Sequence, residues 1–173
     1  NLAAEAFRAD AAYFIVNGTT AGIQGMIMVA CRPNEKIIVP RNVHKSVFGA
    51  LILSGAEPIY MPAELDSELG IAMGVELEQD LAALSIHKML GSLTQSSLVV
   101  QQGERFDPDY VKAVFNLAQT TSPSYVLLAS LDVARKQAYF DGEKMLRRTI
   151  NLANWARHEL NSLPGVDVAG SEI

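Results

Sequence analysis

Ser85-Ile86-His87-Lys88-Met89-Leu90-Gly91-Ser92-Leu93-Thr94-Gln95-Ser96-Ser97 follows an apolar run, Leu81 to Leu84, that reads as a buried strand. Ser, His and Lys therefore emerge together where that strand ends. Strand periodicity puts Ser85 and His87 on one face, while Lys88 points the other way or begins a turn. A lysine at the edge of an apolar pocket has its ammonium form disfavoured by desolvation, which frees the amine to attack a carbonyl. A lone lysine after a strand is also an ordinary solvated loop residue, and spacing alone leaves both readings open.

Working outward, residues 2–10 are helix-like, and residues 12–16 (AYFIV) form a short apolar strand running into Asn17-Gly18-Thr19-Thr20-Ala21-Gly22. From about residue 20 to 31 the spacing of Ile23, Met26, Ile27 and Ala30 predicts a helix. Strand, Gly-Thr turn, helix is an arrangement that binds anions: the first-turn amides lack intrahelical acceptors, the helix dipole is positive there, and two hydroxyls add donors. A Thr-rich N-cap explains the same residues. Residues 36–40 (KIIVP) form the next strand, Arg41-Asn42-Val43-His44-Lys45-Ser46 leads into a helix over 47–53 that Gly55 ends, and residues 58–61 form a third strand. This alternation with short links predicts an α/β fold with a mostly parallel, doubly wound sheet and flanking helices, whose ligands bind at the carboxyl ends of strands. His44 sits at such an end.

Residues 62–74 read as a loop. After the lysine stretch, residues 96–102 (SSLVVQQ) form a strand that pairs antiparallel with the one before Lys88, so that the intervening turn presents Lys88. Asp107-Pro108-Asp109 starts a structural helix with an apolar stripe through Val111, Val114, Phe115 and Ala118. Thr120-Thr121-Ser122-Pro123-Ser124-Tyr125 is a turn and cap opening a helix over 124–139. A second helix is expected over 141–163, with Met145, Leu146, Ile150, Leu152, Ala153, Ala156 and Leu160 facing inward, Trp155 packed, and Pro164-Gly165 as its stop. Residues 166–169 then read as the first strand of a C-terminal subdomain cut short.

With 173 residues, 49% of them hydrophobic, the chain can bury one sizeable core. Its formal charge of -5 offers no basic footprint for nucleic acid, so a small soluble ligand is expected. Cys31 is the single cysteine, which excludes an internal disulfide and fits a reducing compartment. No apolar run reaches membrane-span length, and the N-terminus lacks the basic-then-apolar order of a signal peptide; cytoplasm is the expected location. The three histidines, 44, 87 and 158, lack metal-ligand spacing, so no metal is expected. The start at Asn1 and the stop at Ile173 suggest a fragment of a longer polypeptide.

Ser-x-His-Lys followed by Gly-Ser-x-Thr-Gln-Ser-Ser resembles the pyridoxal-phosphate attachment motif of the bacterial-type ornithine/lysine/arginine decarboxylases, enzymes of the aspartate-aminotransferase fold (fold type I). The resemblance covers roughly residues 12–77 and 80–169 and implies a major domain over 1–163, with 164–173 opening the C-terminal subdomain. It implies pyridoxal 5'-phosphate as cofactor, Lys88 as its Schiff-base lysine, and Thr19, Thr20, Ser85 and His87 around its phosphate. In Arg-Asn-x-His-Lys-Ser it implies that His44 stacks on the pyridine ring, with Lys45 a solvated neighbour. It also implies a homodimer or higher homo-oligomer, with Thr121 and Ser122 candidates for contact across the interface. The implied reaction is decarboxylation of a small basic amino acid to its amine, with a lean toward arginine or lysine.

The resemblance fails between the loop and the lysine strand, where the family carries a helix, two strands and an aspartate that pairs with the pyridine nitrogen. That aspartate keeps the ring protonated as an electron sink, and Asp80, expected at the far end of its strand, is no substitute. Either the chain has lost the passage or residues of the longer protein are absent from this sequence at Gln79-Asp80. The second is favoured, because removing interior strands from a parallel sheet strands their neighbours' hydrogen bonds. A Cα separation well beyond about 3.8 Å there would mark a break. Rival readings are another fold-type-I reaction, such as an aminotransferase or aldolase, a catalytically inactive subunit, and a Rossmann-type nucleotide binder. The last lacks Gly-x-Gly-x-x-Gly spacing in its first turn.

Overall fold

The computed structural model describes residues 2–62 and 80–168. Its elements in order are α1 (Leu2–Phe7), β1 (Ala11–Ile15), α2 (Gly18–Ala30), β2 (Lys36–Pro40), α3 (Lys45–Ser54), β3 (Glu57–Met61), β4 (Leu81–Leu84), α4 (Ile86–Met89), β5 (Ser97–Gln101), α5 (Pro108–Ala118) and α6 (Tyr125–Asn161). Local chemistry accounts for most boundaries. Asp107 caps α5 by accepting from the Asp109 amide, and Pro108 occupies the first turn, where a missing N–H costs nothing. Gly55 ends α3 at φ 69°, a left-handed conformation that suits glycine.

The expected α/β alternation is present, but the mostly parallel sheet is not what the described strands form. β5 lies between β1 and β4 and is antiparallel to both, while β2 and β3 form a separate parallel pair. The reason is connection length. Parallel neighbours need a crossover of a dozen or more residues, normally a helix, and α3 supplies one between β2 and β3. The link from β4 to β5 carries a single helical turn, and its ends return as a hairpin.

α2 anchors the core. Val99, Ile15, Val111 and Phe115 are buried in one cluster with Ala21 and Val29 of α2, and a second cluster joins α1 to Ile86, Leu98 and Leu131. Glycines let α2 approach closely: a Cβ on Gly22 would lie 3.0 Å from Val99 Cγ2. The mouth of α2 is thereby held at the carboxyl end of β1.

Two expectations about the C-terminal half are corrected. A single helix of 37 residues replaces the two helices expected over 124–139 and 141–163, because Gly142 sits inside it without proline or left-handed backbone to interrupt the ladder. The inward stripe is also not found: Met145, Leu146, Leu152 and Leu160 are exposed, as is Trp155. Residues 166–168 form no strand. Most of the loop expected over 62–74, the suspected joint at Gln79 and the end of the expected last strand at Ala169 lie outside the described residues.

Candidate active site

One cavity of about 490 Å³ collects the residues singled out in the sequence. Its walls come from the carboxyl ends of three strands. β1 leads to Gly18, Thr19 and Thr20, β2 to His44 and Lys45, and β4 to Ser85, His87 and Lys88. Thr94 and Gln95, from the loop entering β5, close another side.

The lysine wall differs from its expected shape. Ser85 is the N-cap of α4, so of the two expectations for Lys88 the turn is the one found: Ser85, His87 and Lys88 stand on one helical turn rather than along a strand, and all three line the cavity. The dry niche expected for Lys88 is absent: the residue is exposed. β2 and β4, whose ends carry His44 and Lys88, belong to different sheets.

The anion wall is well prepared. Asn17, the N-cap of α2, makes no side-chain cap bond; its Oδ1 instead accepts from the Thr120 amide at 3.2 Å. No side chain caps the first turn of this 13-residue helix, so the amides after Gly18 face the cavity side without a side-chain acceptor from the N-cap. Beside them the Thr19 hydroxyl lies 2.7 Å from Ser85 Oγ and 2.6 Å from Ser97 Oγ, tying the α2 mouth to the lysine loop. The Gly18 amide donates to the Gln95 carbonyl at 2.9 Å. Gln95 itself is left-handed at φ 76°, a costly conformation for a residue with a Cβ, held here by that bond in the cavity wall.

Both cavity histidines are oriented. The Ser96 carbonyl can only accept, so His87 Nδ1, 2.8 Å away, carries the hydrogen and leaves Nε2 as the second ring nitrogen. His44 Nδ1 accepts from the Ser46 amide at 3.2 Å, capping α3 and placing its ring hydrogen on Nε2. His44 thus both caps α3 and lines the cavity. Ser130 of α6 lies 3.2 Å from Ser96 Oγ and accepts from the Leu93 amide, bracing the same loop.

Thr121 and Ser122 do not join this cavity. Thr121 lines another, of about 440 Å³, with Phe14, Val16 and Gln119, and the Ser122 amide donates to Thr120 Oγ1. Asp80 precedes β4 and pairs with Arg105 at 3.0 Å, at the end of that strand away from Lys88, as expected. Sequence reasoning passed over Lys45, Thr94, Gln95 and Ser97. The last three stand inside the motif and were quoted without a role; Lys45 had no signal beyond its place beside His44.

The profile of the Orn/Lys/Arg decarboxylase major domain matches residues 1–82 and 79–173. The arginine decarboxylase of Bacillus subtilis (strain 168) is 35% identical over 240 aligned positions, covering 100% of this chain and 49% of that protein. That alignment is longer than the 173 residues here, so this relative carries residues with no counterpart in the chain. The chain spans about half the length of the curated relatives it matches. Among solved structures, the lysine decarboxylase of Francisella novicida superposes with a TM-score of 0.85 at 20% identity, over 98% of this chain and 35% of that one. A serine palmitoyltransferase from S. paucimobilis with bound PLP superposes with a TM-score of 0.62 at 15% identity, over 90% and 53%. These likenesses show that the chain shares the fold of those two structures. Matched by the profile along its whole length, this chain belongs to the Orn/Lys/Arg decarboxylase family.

Proposed function

We propose that this chain is the cofactor-holding part of a pyridoxal-phosphate-dependent decarboxylase that turns a basic amino acid, arginine, lysine or ornithine, into its amine. The observation that carries the reading is the single cavity shared by Lys88, His44 and the hydroxyls and amides at the mouth of α2. A helix start without a side-chain cap and a hydroxyl cluster suit a phosphate, and a primary amine on the same cavity suits an aldehyde. Lys88 would hold pyridoxal phosphate through its amine, Thr19, Thr20, Ser85 and His87 would hold its phosphate, and His44 would lie against its ring. Bound there, the group supplies an electron sink for the carbanion left when carbon dioxide departs.

The chain's own residues do the positioning. Ser85 and Thr19 orient hydroxyls, and His87 presents Nε2 because Nδ1 is engaged. Thr121 and Ser122 are proposed to face a second subunit of a homodimer or larger homo-oligomer in the cytoplasm. Residues 1–163 are read as the major domain and 164–173 as the start of a further subdomain. The meeting of the two profile matches at 79–82 supports a passage missing near residues 79/80.

A second reading, a cofactor-binding but catalytically inactive subunit, is favoured by one fact: no acidic side chain lines the cavity among the described residues. Aminotransfer or aldol cleavage would use the same lysine, so products must be measured. The decisive experiment adds pyridoxal phosphate, reduces with borohydride and maps the labelled peptide. Label on Lys88, lost in Lys88→Ala, is expected; label on the neighbouring Lys45, or none, refutes the assignment. Carbon dioxide release then separates the decarboxylase from the inactive subunit and from amino-group transfer.

A further inference from the structure

Ser97 is 1% exposed, and its hydroxyl has one hydrogen-bond partner among the described residues, Thr19 Oγ1 at 2.6 Å. Thr19 Oγ1 also meets Ser85 Oγ at 2.7 Å, so the three oxygens form a chain Ser97–Thr19–Ser85 running from the core to the cavity. Each hydroxyl carries one proton and can accept twice. Were Thr19 to donate to Ser97, the Ser97 proton would be buried without an acceptor, the costly arrangement that folded chains avoid.

We infer that Ser97 is a positioning residue that donates permanently to Thr19, so that the Thr19–Ser85 pair delivers one proton to an anion bound at the mouth of α2. The proton count follows directly. Three protons serve two internal bonds, Ser97's is committed, and one of the remaining two lies between Thr19 and Ser85. A single proton is left for the cavity, carried by Ser85 or by Thr19, whichever accepts from the other. Thr19 and Ser85 therefore do not both donate to one phosphate while they stay bonded to each other. Donation by Ser97 also polarises Thr19, strengthening the outward bond. Ser97 touches no ligand and acts only through Thr19.

The inference rests on the proposed phosphate site, and its test separates the two. In the full-length protein, dissociation constants are measured for pyridoxal phosphate, for pyridoxal, which lacks the phosphate, and for inorganic phosphate. Ser97→Ala is expected to weaken pyridoxal phosphate and inorganic phosphate about fivefold, the scale of one ordinary hydrogen bond, and to leave pyridoxal unchanged. In a Thr19→Val background, Ser97→Ala is expected to cost no further affinity, because the route of its action is gone. Equal loss for pyridoxal and pyridoxal phosphate, additive losses in the double variant, or a drop in thermal stability with unchanged affinities each overturn the inference. If Ser97→Ala does not fold, Ser97→Cys, with a weak S–H donor, is read by the same criteria. A wild type that binds inorganic phosphate with this pattern but not pyridoxal phosphate would sink the proposed cofactor and uphold the relay; binding of neither would sink both.

Discussion

Gly25→Ala tests whether the site's anion wall is held where it is by the close approach of α2 to α5. A Cβ at Gly25 would fall on the edge of the Phe115 ring, at Cε1 and Cδ1, nearer than carbon atoms come to one another. The ring has nowhere easy to go: Phe115 is 2% exposed and its centroid lies 5.4 Å from that of Tyr13. Overpacking a filled core costs about 1–3 kcal/mol, and a clash with a pinned ring belongs in the upper half of that range. Against it, alanine in a helix interior gains up to about 1 kcal/mol over glycine. The net expectation is a loss of about 1–2 kcal/mol. Gly49 in α3 supplies the internal control, since a Cβ there would meet only the end of the Gln24 side chain, at 3.0 Å, which can swing aside. Gly49→Ala should stabilise by up to about 1 kcal/mol. With a urea dependence of roughly 2 kcal/mol/M, the two variants should unfold about 1 M apart, on opposite sides of wild type. Phosphate affinity should also fall in Gly25→Ala, because a shifted α2 carries its first-turn amides with it. A Gly25→Ala protein as stable as Gly49→Ala would refute the packing argument.

Burial first, then the charges of Asp109 and Asp107, raise the Tyr13 phenol above its ordinary value. The folded state therefore keeps this proton to higher pH than the unfolded chain, so its contribution is fully present below about pH 10 and is lost as pH rises beyond it. Urea titrations in alkaline buffers should show that decline, and Tyr13→Phe should flatten it. The same variant strands the buried Gln101 Oε1, which now accepts from the phenol at 2.7 Å, and should cost about 1–3 kcal/mol at neutral pH. Asp107→Ala removes the α5 cap and should cost about 1 kcal/mol, with Asp107→Asn restoring most of it; equal losses for the two would show that charge rather than capping matters.

Elements were legible in the sequence wherever their signals are local. Residues 36–40, 81–84 and the Asp107-Pro108 start stand where spacing, caps and breakers put them, because those signals act within one turn or one pleat. The site was legible as a set of residues: Thr19, Thr20, His44, Ser85, His87 and Lys88 do line one cavity. Its shape was legible only in part. The β4–β5 hairpin and the turn that presents Lys88 follow from the sequence, whereas the antiparallel pairing of β5 with β1 on its other edge and the exposure of that lysine depend on how distant segments come together. The two helices expected over 124–139 and 141–163 are one, because continuity of the hydrogen-bond ladder through Gly142 decides the matter.

The order of residues alone determined where helices and strands start and which side chains have the chemistry to hold an aldehyde and a phosphate, since both follow from covalent structure and neighbours a few positions away. Only the tertiary structure decided that Ser97, quoted in the motif without a role, lies buried behind Thr19. It also decided that the long helix leaves an apolar face open. Burial and hydrogen-bond partnership are properties of separations through space, and no short-range pattern encodes a contact between residues 78 positions apart.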